Sequence, residues 1–332
     1  MNLDSIGIIG AGSFGIAIAN LVAENNYSVQ VLIRTPEQFE NMQDKLKNIL
    51  HPSISLVHQP QAFMDSCQLI FPIVPGKDLE NAILRIKPYV TSSHSYVHGT
   101  KSVRIHDSMQ HAVETMSQMM GRVLQTSSLA CLAGPNLAYE INAGLPAATV
   151  IASADRGLQE RVGEVLRNKR FQVLYNDDMY GIELCGAIKN IMAIAAGAAS
   201  ALEVGDNAKA LLINRGLIEM IHIGTHLGAS VKSFYGVAGM GDLLATCYSS
   251  RSRNFSLGYR LAKGESFEEI TQSMEETAEG ITTTMAIHQL SEKNNWKTPI
   301  TKMVFKALFE SYPVADAIQH LMKLPVREDI DF

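Results

Sequence analysis

The 332-residue sequence carries little charge and no excess of one sign. Charged residues make up 18% of the chain and hydrophobic residues 46%, a composition typical of globular domains and unlike that of disordered chains. The 28 basic and 33 acidic residues leave a formal charge of −5, which excludes a general attraction to nucleic acids or anionic membranes. We therefore expect no nucleic-acid partner, and an anionic ligand must be held by a local site.

Cysteines are few, and neither a signal peptide nor a long apolar span is evident. The four cysteines form no CxxC pair, so a zinc knuckle or a redox motif has little support. The apolar N-terminal stretch lacks a basic segment and contains Asp4. The longest small and apolar run, residues 191–202, is shorter than the roughly 20 residues of a membrane span. We predict reduced thiols, a cytoplasmic location and no stable membrane insertion.

The pattern of apolar residues changes near Asp178. Before it, short β-branched runs alternate with helical stretches, which is typical of βαβ units on a parallel sheet. The predicted strands are residues 6–9, 29–33, 69–74, 95–97, 129–133, 148–151 and 171–174, with helices at 14–24 and 78–86. After it, the predicted helices are residues 182–202, 208–227, 255–262, 282–293 and 300–309. The sequence therefore predicts an α/β protein, with a doubly wound sheet in residues 1–178 and an all-helical domain in residues 179–332.

A glycine-rich motif follows the first predicted strand. Gly10, Gly12 and Gly15 form GxGxxG between that strand and the next helix, with Ser13 and Phe14 inside the motif. Gly10 permits a tight turn, Gly12 lets a pyrophosphate approach the backbone, and Gly15 allows close packing of helix and strand. In this context the motif predicts a Rossmann-type dinucleotide site. The alternative is a glycine-rich turn without a ligand.

An arginine ends the second predicted strand. About 20 residues after GxGxxG, an acidic residue favours NAD, whereas an arginine accommodates the 2′-phosphate of NADP. Arg34 stands at this position. We therefore expect the protein to accept NADP(H), the alternative being that Arg34 is a solvated surface residue.

Two lysines are candidates for acid/base chemistry. Lys189 lies in a helical stretch that is small and apolar on all faces, so it must be paired or have a lowered pKa. An ion-paired structural lysine is an equally good interpretation. Lys101 follows the strand at 95–97 and Gly99-Thr100, at the end of a sheet where ligands bind in doubly wound folds. A plain surface lysine fits that position as well.

Glycines, an aspartate and arginines cluster between the long helices. Gly239 and Asp242 precede Ser252-Arg253-Asn254, which combines a planar cation with neutral donors. This composition predicts a site for a small phosphorylated substrate, and arginines in a solvated helix connection are the alternative. His222 and His226 share one helix face, but no HExxH pattern surrounds them, so we expect packing histidines and no metal site.

Taken together, these motifs resemble those of the bacterial NAD(P)-dependent glycerol-3-phosphate dehydrogenases. The resemblance covers essentially the whole chain, in order. Three positions differ from those usual in the family: Phe14 where Trp is common, Asn136 where Ser or Thr is usual, and Leu50-His51-Pro52 where an aromatic residue before Leu-Pro is usual. The motifs that carry the resemblance are Gly10–Gly15, Gly99-Thr100-Lys101, Ala133-Gly134-Pro135-Asn136 with Ala138, Glu183–Asn190, Gly239–Asp242 with Leu243, and Ser252-Arg253-Asn254.

The resemblance implies reversible reduction of dihydroxyacetone phosphate to sn-glycerol 3-phosphate by NADP(H) or NAD(H), without a metal, for phospholipid synthesis. It implies that Lys189 exchanges a proton with the C2 oxygen, Lys101 polarises that oxygen, and Asp242 and Asn190 orient the lysine and the substrate. The other implied substrate-binding residues are Gly134, Asn136, Ser252, Arg253 and Asn254. The implied cofactor-binding residues are Gly10, Gly12, Ser13, Phe14, Gly15, Arg34, Lys101, Ala138, Arg253 and Glu279. A homodimer is common for this architecture.

Two other functions compete with this one. A dehydrogenase of the 3-hydroxyacid or 6-phosphogluconate type shares the lysine and asparagine on the first long helix, but we would expect it to lack the Arg253-Asn254 context. A nucleotide-sensing protein that has lost turnover would keep the fold alone, and the presence of Lys101, Lys189 and Asp242 argues against it.

Overall fold

The chain folds into two compact units. The computed structural model describes residues 5–46, 48–105, 113–274 and 277–323. Contacts group Met1–Lys101 with Thr115–Met179 as the first unit, and Ser102–Glu114 with Tyr180–Phe332 as the second. The predicted domain bounds are residues 1–178 and 179–332, whereas this grouping places Ser102–Glu114 with the helices. The physical reason is that Val103 and Val113 are buried in the core of the helical unit.

The first unit is built on an eight-stranded sheet with the order β10-β9-β8-β5-β4-β1-β2-β3. Strands β6 and β7 pair separately and belong to the second unit, apart from Thr115 at the end of β7. The strands are β1 (Ser5–Ile9), β2 (Val29–Leu32), β3 (Ile54–Val57), β4 (Cys67–Pro72), β5 (Ser95–His98), β6 (Val103–Ile105), β7 (Val113–Thr115), β8 (Leu129–Ala133), β9 (Ala147–Ala152) and β10 (Phe171–Asn176).

The sheet is parallel except at one junction, where β9 runs antiparallel to β8. Strand β10 is parallel to β9, so the pair at this edge is reversed relative to the other six strands. The prediction of a parallel sheet is confirmed at every other junction, and it did not foresee the reversed pair because the apolar pattern of a strand does not encode its direction. It also missed the edge strand β3, whose side chains are only half-buried or exposed.

Helices cover both faces of this sheet. One apolar core contains side chains of α1 and α7, and another contains side chains of α3, α4 and α5. This arrangement confirms the predicted Rossmann-type doubly wound sheet. The helices of the unit are α1 (Ser13–Glu24), α2 (Pro36–Leu46), α3 (Pro60–Ser66), α4 (Gly76–Ile86), α5 (Met116–Leu124), α6 (Ala138–Asn142) and α7 (Arg156–Leu166).

The second unit is mostly helical, with α8 at its centre. Nearly every residue of α8 is buried, because small and apolar residues occupy all of its faces. The helices are α8 (Met179–Ala201), α9 (Asp206–His226), α10 (Val231–Tyr235), α11 (Asp242–Tyr248), α12 (Arg253–Ala262), α13 (Phe267–Ser273), α14 (Gly280–Asn294), α15 (Pro299–Phe309) and α16 (Val314–Met322). With 23 residues, α8 exceeds the apolar run noted in the sequence and is long enough to span a membrane, but its apolar window is wholly buried in the protein.

Glycines allow α12 to cross close to α8. A Cβ atom on Gly197 of α8 would lie 2.0 Å from the Phe255 carbonyl oxygen, and one on Gly258 of α12 would lie 1.9 Å from the Ile194 carbonyl oxygen. Both positions therefore exclude a side chain. The crossing brings the first turn of α12 against the middle of α8.

Candidate active site

The glycine-rich loop between β1 and α1 leaves no space for side chains at its two ends. Gly10 has φ +109°, and a Cβ on it would lie 2.3 Å from the Ile73 carbonyl oxygen. A Cβ on Gly15 would lie 2.2 Å from the Gly10 carbonyl oxygen. The backbone therefore turns tightly into α1, whose N-cap, Gly12, contributes no side chain. A helix N-terminus behind a bare backbone is the cradle that a pyrophosphate requires, so this loop fits a dinucleotide.

Phe14 and the end of β5 lie beside this loop. A Cβ on Gly99 would lie 2.9 Å from Phe14 Cε1, so the ring packs on the bare backbone there. Ser13, at the first turn of α1, is exposed. Arg34, two residues beyond β2, is also exposed. These placements are compatible with the predicted cofactor contacts.

Lys101 is anchored to the loop after β8. Its Nζ donates to the Gly134 carbonyl oxygen at 3.0 Å, and Gly134 has φ +127°. The neighbouring Thr100 hydroxyl donates to the Val74 carbonyl oxygen at 2.7 Å. Lys101 and Gly134, which the sequence predicts as site residues from separate motifs, are therefore in direct contact.

Asn136 contributes a buried acceptor to the same loop. Its Nδ2 donates to Thr149 Oγ1 at 3.0 Å, and the Thr149 hydroxyl donates to the Ala133 carbonyl oxygen. Its Oδ1 is buried and meets no donor among the residues that the structure describes. Since a buried acceptor without a donor is costly, a ligand N–H or O–H would fit here. Ala138 follows as the first residue of α6.

Lys189 forms a buried charged cluster in the second unit. Its side chain is 4% exposed, as is that of Asp242, and Nζ lies 3.2 Å from Asp242 Oδ1. Asp242 is the first residue of α11 and follows a π-helical turn, Val237–Gly241. Gly239 makes this turn possible, because a Cβ there would lie 2.2 Å from the Phe234 carbonyl oxygen. Lys189 is therefore ion-paired, and its partner Asp242 is itself a predicted site residue. The contact is compatible with both an acid/base lysine and an ion-paired structural lysine.

A threonine that the sequence analysis missed completes this cluster. Lys189 Nζ donates to Thr246 Oγ1 at 2.5 Å, and the Thr246 hydroxyl donates to the Asp242 carbonyl oxygen at 2.6 Å. Thr246 lies four residues after Asp242 on α11, so the two share one helix face. That spacing is the signal that could have identified it.

The first turn of α12 carries the predicted phosphate-binding residues. Ser252 is the N-cap, and its hydroxyl oxygen accepts the Phe255 N–H at 3.3 Å. Arg253 is the first helical residue, and its guanidinium donates to the Thr277 carbonyl oxygen at 3.2 Å. An arginine at a helix N-terminus is a favourable arrangement for an anion.

Asn254 links this turn to α14 and α8. Its Oδ1 accepts the Gly280 N–H at 2.9 Å, which orients the amide, and its Nδ2 is the group that can donate to an anionic ligand. A Cβ on Gly280 would lie 2.6 Å from Asn254 Oδ1 and 3.0 Å from the Asn190 carbonyl oxygen. Glu279 is the N-cap of α14 directly before this contact. The predicted phosphate-binding turn therefore lies next to Asn190, the neighbour of Lys189.

The two helix-face histidines pack against each other and against an aromatic ring. The ring centroids of His222 and His226 are 4.3 Å apart, and His226 lies 5.1 Å from Trp296. Among the described residues, no group of three or more His, Cys, Asp or Glu side chains could hold a metal ion.

Comparisons with known proteins cover both units. A family model described as NAD-dependent glycerol-3-phosphate dehydrogenase N-terminus matches residues 5–159, and the corresponding C-terminus model matches residues 178–319. The chain belongs to this dehydrogenase family. The resemblance of the sequence motifs is thereby confirmed.

Individual relatives agree with this assignment. A glycerol-3-phosphate dehydrogenase [NAD(P)+] of Pseudomonas aeruginosa is 36% identical, with 98% of this chain and 96% of the relative covered. One of Psychrobacter cryohalolentis is 35% identical, with 98% of this chain and 76% of the relative covered. The crystal structure of glycerol-3-phosphate dehydrogenase from Coxiella burnetii has a TM-score of 0.87 at 31% identity, with 97% of this chain and 100% of that chain covered. The dehydrogenase family therefore accounts for the sheet, the helical unit and their order along the chain.

Proposed function

We propose that the protein catalyses the reversible NAD(P)-dependent reduction of dihydroxyacetone phosphate to sn-glycerol 3-phosphate, which supplies phospholipid synthesis. The observation that carries the proposal is the buried Lys189–Asp242 pair, 3.2 Å apart, in the same unit as the Ser252-Arg253-Asn254 turn. A buried, ion-paired cation and an anion-binding turn are what the reduction of a phosphorylated ketone needs.

The first unit would hold the cofactor. Gly10, Gly12 and Gly15 with the N-terminus of α1 would take the pyrophosphate, and Ser13, Phe14 and Ala138 would line the nucleotide. Asn136 Oδ1 would accept a hydrogen bond from the bound ligands. When bound, the reduced nicotinamide supplies the hydride to the ketone carbon.

Lys189 would supply the proton to the C2 oxygen. In the ammonium form its Nζ would carry the proton to be transferred, while the contacts with Asp242 and Thr246 hold it in position. Lys101, held by the Gly134 carbonyl oxygen, would stabilise the charge that develops on the same oxygen. Asn190 would orient the substrate from the next position of α8.

The phosphate would be anchored by the first turn of α12. Ser252, the Arg253 guanidinium and Asn254 Nδ2 would surround it, together with the backbone N–H groups of the turn. Binding a part of the substrate that does not react contributes to orientation of the carbonyl. Arg253 and Glu279 would also contact the cofactor. NADP(H) would be accepted through Arg34, which is exposed beyond β2.

The test is the loss of absorbance of the reduced nicotinamide with dihydroxyacetone phosphate and either NADPH or NADH. We expect rapid oxidation of the reduced cofactor. We expect kcat/KM for unphosphorylated dihydroxyacetone to be lower than that for dihydroxyacetone phosphate by about 1000-fold or more. Turnover of 3-hydroxyacids or 6-phosphogluconate instead would favour the related dehydrogenases. Cofactor binding without turnover of any of these substrates would favour a nucleotide-sensing protein.

We also propose a cytoplasmic homodimer. Exposed apolar side chains on neighbouring helices of the second unit support association: Tyr235 is 53% exposed, Leu244 37% and Tyr248 56%. Light scattering coupled to size-exclusion chromatography should give twice the chain mass of 36.3 kDa. A mass of one chain would refute the dimer.

A further inference from the structure

A second arginine lies beside Arg34 although it comes from a different element. Arg85 stands on the last turn of α4, and its side chain is half-buried. Its Nη2 donates to the Ile33 carbonyl oxygen at 3.5 Å, which is the backbone position directly before Arg34. The Ile33 N–H is itself held by the Val57 carbonyl oxygen at 2.8 Å, so this carbonyl has a fixed position. The Arg85 guanidinium is therefore directed to the end of β2.

The two guanidinium groups repel each other. Burial, together with the positive charge of Arg34, lowers the pKa of Arg85 below its ordinary value. Within the described part of the chain, neither arginine forms an ion pair with a carboxylate. Two adjacent cations without an acidic partner are destabilising, and a dianion placed between them would remove this repulsion.

The backbone around Arg34 supports a bound anion. Helix α2 starts two residues later, and the Thr35 hydroxyl oxygen accepts the Gln38 N–H at 3.2 Å in its first turn. Arg34 therefore lies between the carboxyl end of a strand and the amino end of a helix, where backbone dipoles favour negative charge. The sequence alone does not indicate Arg85, because 50 residues separate it from this turn.

We infer that Arg85 acts together with Arg34 to bind the 2′-phosphate of NADP(H), and that this pair determines the preference between the two nicotinamide cofactors. The inference rests on the proposed cofactor site, in which Arg34 faces the adenosine ribose. Arg85 would supply a planar fork to the phosphate from α4, while its contact with the Ile33 carbonyl oxygen orients the guanidinium.

The experiment measures binding without turnover. Calorimetric titration with 2′,5′-ADP and with 5′-AMP isolates the 2′-phosphate, and NADPH and NADH provide a second matched pair. We expect Arg85→Gln to raise the Kd of 2′,5′-ADP and NADPH by about 10-fold or more, and to change the Kd of 5′-AMP and NADH by less than about 2-fold. Arg85→Lys should lie in between, since it keeps the charge and loses the fork.

The control is Arg156→Gln. Arg156 is 60% exposed on α7 and contacts Tyr175 of β10, at the opposite edge of the sheet, so its loss removes the same charge without touching β2. We expect its Kd values to equal those of the wild type. The double variant Arg34→Gln/Arg85→Gln should lose less than the product of the two single effects, because both side chains bind one phosphate.

Several outcomes would overturn the inference. An equal loss for 2′,5′-ADP and 5′-AMP would show that Arg85 only supports the backbone of β2. If Arg85→Gln binds 2′,5′-ADP as the wild type does and Arg34→Gln binds it more weakly, Arg34 recognises the 2′-phosphate without Arg85. If Arg85→Gln does not fold, the selective loss in Arg85→Lys decides the question. Failure to reduce dihydroxyacetone phosphate would refute the proposed substrate and leave the binding result intact.

Discussion

Lys189 is a positive charge in an apolar helix, held by two oxygen atoms of one neighbouring helix. Such a charge is tolerated only when it is paired and hydrogen-bonded. Asp242 supplies the opposite charge and Thr246 a further acceptor. The same two contacts also fix the position of the Lys189 Nζ atom. Pairing therefore accounts for the buried charge, and the same contacts would hold the lysine for the proposed proton transfer.

Removal of the Lys189 amine should strongly reduce turnover and leave the cofactor site intact. We expect Lys189→Met to lower kcat by about 100-fold to 10,000-fold, the contribution of a positioned general acid. NADPH binding, followed by fluorescence titration, should be unchanged. Lys232→Met, at an exposed position of α10, is the matched control and should retain full activity. Normal turnover in Lys189→Met would exclude this residue as the proton donor.

Thr246 should act by positioning the lysine. Thr246→Val keeps the shape of the side chain and removes the acceptor of the Lys189 N–H, so the ammonium form becomes less favourable. We expect kcat to fall about 10-fold with little change in the KM for dihydroxyacetone phosphate, and the pH above which reduction slows should move to lower values. Thr246→Ser keeps the hydroxyl and should restore the wild-type pH profile. An unchanged profile in Thr246→Val would contradict a positioning role.

At the scale of elements, helix α15 begins on a buried carboxylate. Glu219 of α9 accepts the Ile300 N–H at 2.7 Å, the Thr301 N–H at 2.8 Å and the Thr301 hydroxyl at 2.6 Å. Burial raises the pKa of Glu219 from 4.5 to about 7, and these three hydrogen bonds oppose the rise. The carboxylate thus replaces the side-chain cap that Thr298 does not provide.

This shift predicts a pH dependence of stability with a definite sign. Because the folded state has the higher pKa, it binds more protons than the unfolded state between pH 4.5 and about 7. The free energy of unfolding should therefore fall as the pH rises through this window, by about 3 kcal/mol for this group. Urea titrations of the wild type and Glu219→Gln at pH 5 and pH 8 measure the difference. The exposed Glu292→Gln serves as the control, and parallel pH dependences in all three proteins would contradict the assignment.

The crossing of α8 and α12 should tolerate no side chain at its glycines. In Gly258→Ala the new Cβ would meet the Ile194 carbonyl oxygen at 1.9 Å, so a backbone must shift. We expect a loss of about 1–3 kcal/mol in the free energy of unfolding, together with a raised KM for dihydroxyacetone phosphate, because α12 carries the phosphate-binding turn. In Gly157→Ala of α7 the Cβ would meet only an Asp155 side-chain oxygen at 3.3 Å. This control should be neutral or slightly stabilising.

The sequence predicted elements well where local pattern and packing agree. Strand β1 with the glycine loop, and the long helices α8 and α9, lie within a few residues of their predicted bounds. The strand β3 at the sheet edge was missed because its burial is incomplete, and the reversal of β9 was missed because strand direction is a tertiary property.

The candidate site shows the same limit. The motifs indicated Lys189, Asp242 and the Ser252-Arg253-Asn254 turn, since each has its own local pattern. The local signal of Thr246 is its spacing from Asp242, and Arg85 has none. Their contacts with Lys189 and with the Ile33 carbonyl oxygen appear only in the folded structure. Residues that act through contacts distant in sequence cannot be read from one chain without its coordinates.

At the scale of the whole molecule, each unit has its own apolar core and its own set of predicted ligand-binding residues. The two ligands should therefore protect different parts of the chain. In hydrogen exchange followed by mass spectrometry, we expect NADPH alone to slow exchange in the loop before α1 and in the turn after β2. Glycerol 3-phosphate alone should slow exchange in the first turn of α12. Protection by glycerol 3-phosphate confined to the first unit would contradict the proposed phosphate site.

The position of β6 and β7 has a consequence for biosynthesis. Val103 and Val113 enter the core of the helical unit, whose helices begin at α8, so these two strands leave the ribosome long before their packing partners are translated. A gene fragment that ends before Tyr180 would encode both strands without the helices that cover them. A fragment that starts there would encode the helices without the two valines. The core of the helical unit is therefore complete only when the chain on both sides of Tyr180 has been synthesised. Neither of these two gene fragments encodes a complete folding unit.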